Sequence, residues 1–434
     1  MNIIIKNNSL IYLLFLTPFA HILGIAIVEL FTFVMTLFFF YKNRSIKYYR
    51  DKKFLFFFVF SIYIAINAYF QIPDDDLKIS SFFYFRFIIL SLSIFFILDY
   101  FDNNLTIDKK IISIIFGILI LFIFFDSFVQ FLMGENLFGF KIINQRISSI
   151  FGSELILGAF LVKLLPLFLY LFIYSNTKIK TNFYSLIFFL SLYFSVIYLA
   201  AGRTSFVMMF LFIFLILVFV KDLRIVFSLS LLFFISFVFL TIFFDIGKSN
   251  PSNRIFIKTF NEMTSHIFYT DHENKQLIDN NSIEKKEIIK NIKIFSEDHN
   301  GHYIVAYELF KNNMIFGVGP KGFRSYCRSV NYDPPKGICS THPHNFIIQI
   351  LSETGLIGFL FYTYGFIFVF IKILRAYSLK IASNEKNCFL IISIALIVNF
   401  FPIIPNGNFF NNWISITSFY YTGVYLYSYK KVFL

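Results

Sequence analysis

Residues 185–219 read SLIFFLSLYFSVIYLAAGRTSFVMMFLFIFLILVF. Apolar runs at 183–200 and 204–220 each have about the length that the hydrocarbon core of a bilayer demands, and only a short turn at Arg203 separates them. Runs of the same kind recur from Leu10 to Tyr429, at 9–24, 26–41, 54–71, 82–98, 111–131, 155–174, 225–245, 355–371, 388–404 and 413–429. With 58% hydrophobic, 22% aromatic and 15% charged residues, the chain is far more apolar than a soluble protein. The expected fold is an all-α polytopic membrane protein of about twelve transmembrane helices forming one integral domain. Residues 9–41 also suit one long tilted helix. The N-terminal run follows a lysine but precedes no small-residue cleavage site, so it reads as a retained first span.

Charge sets the expected orientation. With the N-terminus inside, Lys6 and segments 42–53, 99–110, 175–182, 221–224, 372–387 and 430–431 hold 19 Lys and Arg. The opposite short loops, 71–81, 132–148, 201–203 and 405–412, hold 4. This positive-inside asymmetry leaves 246–344 as one large external loop between helices 1–9 (1–245) and a final part, 345–434, with a motif helix and helices 10–12. Within the loop, GHYIVAYELFKNNMIFG (301–317) reads as an amphipathic helix ending at Gly317. The net charge of +13 lies largely in cytoplasmic loops, where it serves topology and contact with membrane lipids, and no nucleic-acid partner is expected.

Cys327 and Cys339 stand twelve apart in the external loop and suggest a disulfide in an oxidising compartment, two free thiols being the alternative. Neither spacing nor neighbours resemble a zinc site, so no metal is expected. Arg86, Arg146, Arg203 and Arg254 fall on the external half, where guanidinium groups with few carboxylates suit phosphate or diphosphate. Snorkelling, or pairing with Asp126 or Glu154, is the alternative for each.

The stretch CSTHPHNFIIQILSETGLIG (339–358) gathers unusual polarity beside a span. Pro343 suits a first helical turn, so a helix is expected from about His342 to Gly355, where glycine permits a bend. Asn345, Gln349, Ser352 and Glu353 form one stripe, expected to face water or substrate. His344, in the anion-attracting first turn, is a candidate proton shuttle; Glu353 shares the stripe and is a candidate base. His302 and Arg324 are further substrate-binding candidates, with supporting the fold as the alternative.

HNFIIQILSETGLIG also resembles the pattern of the bacterial O-antigen ligase and O-antigen polymerase superfamily: His344, Asn345, nine residues, then Gly355 and Gly358. MIFGVGPKGF ahead of the motif and the arginine directly after a span agree with it. The resemblance implies a GT-C-like, inverting, metal-independent glycosyltransferase without cofactor, in the bacterial cytoplasmic membrane, with its active site facing the periplasm. Its donor is an undecaprenyl-diphosphate-linked oligosaccharide; a lipid-linked glycan or lipid A core is the acceptor, and a chain-length regulator is a further partner. By the same resemblance Arg203 and Arg254 engage the donor diphosphate, and His344 lies near it or activates the acceptor hydroxyl. CSTHPHN, DSFVQF with RISSIFGSELILGAFL, and the paired cysteines look more like the polymerase branch than the ligase branch. A flippase for lipid-linked sugars and a membrane acyltransferase are the rivals of another class. The missing repeat between halves speaks against the first, and the arginine set beside an external histidine against the second.

Overall fold

The computed structural model describes residues 9–43, 52–104, 109–175, 182–261, 297–327, 339–380 and 384–434. Lys6 and most of the polar first part of the large loop, 262–296, lie outside the described residues. The described chain is helical: α1 Ser9–Leu23, α2 Ile25–Lys42, α3 Lys52–Gln71, α4 Asp75–Phe82, α5 Phe85–Asn104, α6 Lys109–Met133, α7 Leu157–Tyr174, α8 Phe183–Leu199, α9 Arg203–Phe219 and α10 Arg224–Phe243. After a π-helical turn at Asn253–Ile257 follow α11 Glu297–Asn312, α12 Phe323–Tyr326, α13 Phe346–Ser378, α14 Asn384–Asn399 and α15 Asn412–Phe433.

Each of the twelve apolar runs falls mainly on a helix, and 9–41 divides into α1 and α2 at Gly24 rather than forming one helix. Seven stretches among the described residues are long and apolar enough to cross a membrane: Ile25–Lys42, Phe54–Gln71, Asp75–Asp102, Lys109–Met133, Leu157–Tyr174, Lys221–Phe243 and Phe346–Ser378. The chain is an all-α, multi-pass membrane protein.

α14 falls outside that set by its length of 16 residues, and why α15 does is visible in the packing. α15 carries many tyrosines, serines and threonines and lies in the centre of the bundle against α5 and α14, buried from Ser415 to Ser428. Its polar groups bond within the protein: Ser91 Oγ donates to the Phe419 carbonyl (2.7 Å), and Tyr421 Oη donates to the Lys163 carbonyl. A buried helix can be less apolar than one wrapped in lipid, because its partners are protein groups. Conversely, Phe233, Phe239 and Phe243 of α10 and Phe33, Leu37 and Phe40 of α2 are exposed, as lipid-facing side chains are.

A second, smaller apolar cluster stands apart from the bundle core. Val305, Ala306 and Leu309 of α11 pack with Val318, Phe323 and Cys327, and Ile348 of α13 closes against them. Cys327 and Cys339 are joined by a disulfide on this cluster, their Cα atoms 5.6 Å apart. Neither cysteine is therefore expected to react with a membrane-impermeant maleimide in intact spheroplasts until a reductant is added; immediate labelling of both would refute the bridge.

Candidate functional site

The motif is built around a break in α13. At Gly355 the backbone takes φ 63° and ψ −164°, a region that is essentially glycine's alone. The break parts the Ser352 carbonyl from the Leu356 N–H, which a continuous helix would pair. Both are satisfied by the preceding segment: Val318 N donates to Ser352 O (2.9 Å) and Leu356 N to Met314 O (2.9 Å). The approach is so close that a Cβ on Gly355 would stand 2.2 Å from the Ile315 carbonyl oxygen, and one on Gly317 2.5 Å from the Glu353 carbonyl carbon. From α3, Tyr63 Oη donates to the Thr354 carbonyl (2.5 Å) and Asn67 Nδ2 to the Phe316 carbonyl (2.6 Å). MIFGVG is thus the backbone splint for the motif's bend.

The helix starts later than its sequence suggests. Its first residue is Phe346; Asn345 is the N-cap, its side chain accepting from Ile348 N at 3.2 Å while Nδ2 donates to the Pro402 carbonyl at 2.9 Å. His344 therefore precedes the cap and does not lie in the first turn; it has φ 57°, and its carbonyl accepts from Asn406 N at 2.8 Å. The expectation that the polar stripe faces water or substrate fails for a physical reason: each group has a protein partner. Gln349 Nε2 donates to Glu353 Oε2 and to Asn408 Oδ1, both at 2.8 Å, and Gln349 Oε1 accepts from Phe409 N at 2.9 Å. Glu353, fully buried, also accepts from Phe323 N at 3.1 Å, and Ser352 Oγ donates to the Gln349 carbonyl at 3.1 Å. The stripe bolts the motif helix to the 321–323 turn and to the loop before α15.

This scaffold gathers three imidazoles. The His344 ring lies 4.1 Å from that of His342 and 5.1 Å from that of His302 on α11. His342 is buried and bonded to Thr341 Oγ1 at 2.9 Å; burial, with His344 beside it, holds it well below the ordinary histidine range, at about 3, so it is neutral. His344 is half-buried. Among the described residues no group of histidine, cysteine or acid side chains has a metal-binding arrangement. Arg324 acts electrostatically on His342 and on Lys321, and Arg86 acts on Lys321 as well. Lys321, which sequence reading missed, has φ 65° and donates to Ser80 Oγ at 3.0 Å. Arg86 pairs with Glu29 of α2 at 3.1 Å.

The other arginines converge elsewhere, on the α8–α9 turn quoted at the outset. Arg146 donates from Nε to the Ala200 carbonyl (3.3 Å) and from Nη2 to the Leu155 carbonyl; Arg254, in the π-helical turn, donates from Nε to the Ala201 carbonyl (3.2 Å). Arg203 is the first residue of α9, with Gly202 as cap. Burial and then the neighbouring Arg254 lower the Arg146 pKa to about 10, which still leaves it cationic at neutral pH. No carboxylate pairs with Arg146 among the described residues. Asp126 is engaged elsewhere, accepting from Ser149 Oγ (2.5 Å), Asn136 Nδ2 (3.1 Å) and Leu137 N (3.0 Å). With Gln130 Oε1, which accepts from Ser148 N and Ser149 N, it shapes the loop that delivers Arg146. Guanidinium groups collected at a helix N-terminus have the charge and the donors that suit an anion.

No curated protein matches the chain. Residues 186–363, from α8 through the motif and its bend, match the family model described as O-antigen ligase. This match spans both the arginine turn and the histidine motif, and over these residues the chain is similar to the O-antigen ligase family, in keeping with the resemblance carried by the motif.

Proposed function

We propose that the protein is an O-antigen polymerase of the bacterial inner membrane. It transfers an undecaprenyl-diphosphate-linked glycan to a sugar hydroxyl of a second lipid-linked repeat unit. The observation that carries this reading is the gathering of Arg146, Arg203 and Arg254 at the start of α9, within the family-matched stretch. They bind the donor diphosphate and stabilise the charge that grows on it as its bond to the anomeric carbon breaks. His344 takes the proton of the acceptor hydroxyl, whose oxygen attacks that carbon from the opposite face, so the configuration inverts. Charge neutralisation rests on arginines, and no metal enters this scheme.

The remaining residues divide by their contacts. His302, within the imidazole cluster, and Arg324, beside it, bind the acceptor sugar. Arg86 is tethered by Glu29 at the edge of that region. Asn345 and Glu353 are positioning residues, since their side chains are committed to the helix start and to the Phe323 turn. The same reading takes twelve spans, with 246–344 and the active site on the periplasmic side.

The family description supplies the second reading, ligation of the glycan to lipid A core. A gel profile of surface polysaccharide from a strain lacking this chain separates the two. Core capped by a single repeat unit is the expected result. Bare core with polymer accumulating on the lipid carrier would make the protein a ligase, and an unchanged profile would refute both.

A further inference from the structure

Lys163 belongs to none of the groups above. It lies in α7, six residues beyond Leu157, or about 9 Å along the helix axis. A lysine within a membrane span is costly unless a partner or ligand holds it. Among the described residues no carboxylate pairs with its ammonium. Its charge instead reaches His21 near the end of α1, whose Nδ1 is buried without a hydrogen-bond partner among the described residues. The His21 ring lies 4.6 Å from that of Trp413 at the start of α15. The Phe19 ring, two residues before His21, lies 6.4 Å from that of Phe160, one helical turn before Lys163, so α1 and α7 bring the two nitrogen groups to the same level.

The elements that carry them lead to both functional groups. α7 follows Leu155, whose carbonyl receives Arg146. Trp413 follows the loop whose Asn406 and Asn408 bond to His344 and Gln349.

We propose that Lys163 and His21 form a second anion site that takes the phosphate ester of a lipid, the ammonium and the imidazole N–H donating to its oxygens. Resting on the polymerase reading, the occupant is the carrier phosphate of the acceptor chain, while the arginine turn holds the donor. A polymerase must hold two lipid-linked chains at once, and one diphosphate site serves only one of them. A phospholipid headgroup offers the same chemistry and is separated by the test.

Trp413 is the single tryptophan of the chain, so its emission reports this place. The full-length protein in phosphatidylcholine nanodiscs is titrated with undecaprenyl phosphate. A saturable change in emission is expected, absent with undecaprenol, weakened about tenfold or more in Lys163→Met and retained in Lys163→Arg. A saturable change of the same size on exchanging phosphatidylcholine for phosphatidylglycerol would support the site and name a phospholipid as its occupant. Equal responses of wild type and Lys163→Met, an equal response to undecaprenol, or no response to any of these lipids would overturn the proposal. The assay requires no glycosyl transfer, so a protein that binds but does not polymerise would sustain this site while refuting the proposed activity.

Discussion

Arg203→Ala is expected to abolish long glycan chains while leaving the protein inserted in the membrane. The guanidinium opens α9, where the helix N-terminus and the nearby Arg146 and Arg254 already concentrate positive charge. Removing one donor to charge that develops in the transition state typically costs about 10²–10³-fold in rate. Because a polymer grows by repeated transfer, such a loss shortens the product far more visibly than it slows a single step. Arg203→Lys keeps the charge but loses the planar two-donor face, so an intermediate ladder is expected. Arg86→Ala should change little by comparison, since that guanidinium is engaged by Glu29 at the edge of the site. Polysaccharide gels from complemented deletion strains, with immunoblots of the membrane fraction, read all three. Wild-type chains from Arg203→Ala would remove the arginine turn from the mechanism.

Gly355→Ala is the substitution expected to damage the fold most. Its backbone conformation alone costs a residue with a Cβ about 1–3 kcal/mol. The new carbon would also meet the Ile315 carbonyl oxygen at 2.2 Å, a backbone atom held by the splint and unable to swing away. Relieving the clash means parting segment 314–318 from the motif helix, which strands the Ser352 carbonyl and the Leu356 N–H. Destabilisation of at least about 3 kcal/mol follows, seen as a lowered melting temperature in detergent and loss of folded protein. Gly365, ten residues further along the same helix, is the control: an added Cβ would have only a Phe56 ring carbon at 3.9 Å, and Gly365→Ala should be neutral. If the two variants melted alike, the bend would not be the keystone described here.

The membrane architecture was legible because span length and apolarity are summed over some twenty residues, and such sums survive errors at single positions. The place of Arg203 in the turn that opens α9 was legible too, since a charged residue between two apolar runs has few places to go. The fate of the polar stripe was not. Periodicity places Asn345, Gln349, Ser352 and Glu353 on one face, but whether that face meets water or other backbone depends on Phe323, Asn408 and Phe409, far away in sequence. Arg146 was expected either to bind an anion or to pair with an acid; that it bonds to main-chain carbonyls is invisible to any charge pattern. Lys321 and His342 were missed as parts of the site because each is an ordinary residue in a loop until α11, α12 and α13 bring the groups around it together. Lys163, by contrast, was exposed to view in an apolar run, and the rule that flagged the external arginines applied to it equally.

The splint at Gly355 also constrains how the protein can be made. Every group that satisfies the broken helix, from Tyr63 and Asn67 of α3 to the Met314–Val318 backbone, is synthesised before the bend itself. The nascent motif helix can therefore find its partners as it emerges, with no interval in which freed peptide groups must wait in hydrocarbon for a later segment. The histidine end differs. The His344 carbonyl and the Asn345 and Gln349 side chains are tied to residues 402–409, which are translated after them. A partly made chain thus holds a finished bend beside an unfinished histidine end, which is complete only once residues 402–409 have been made.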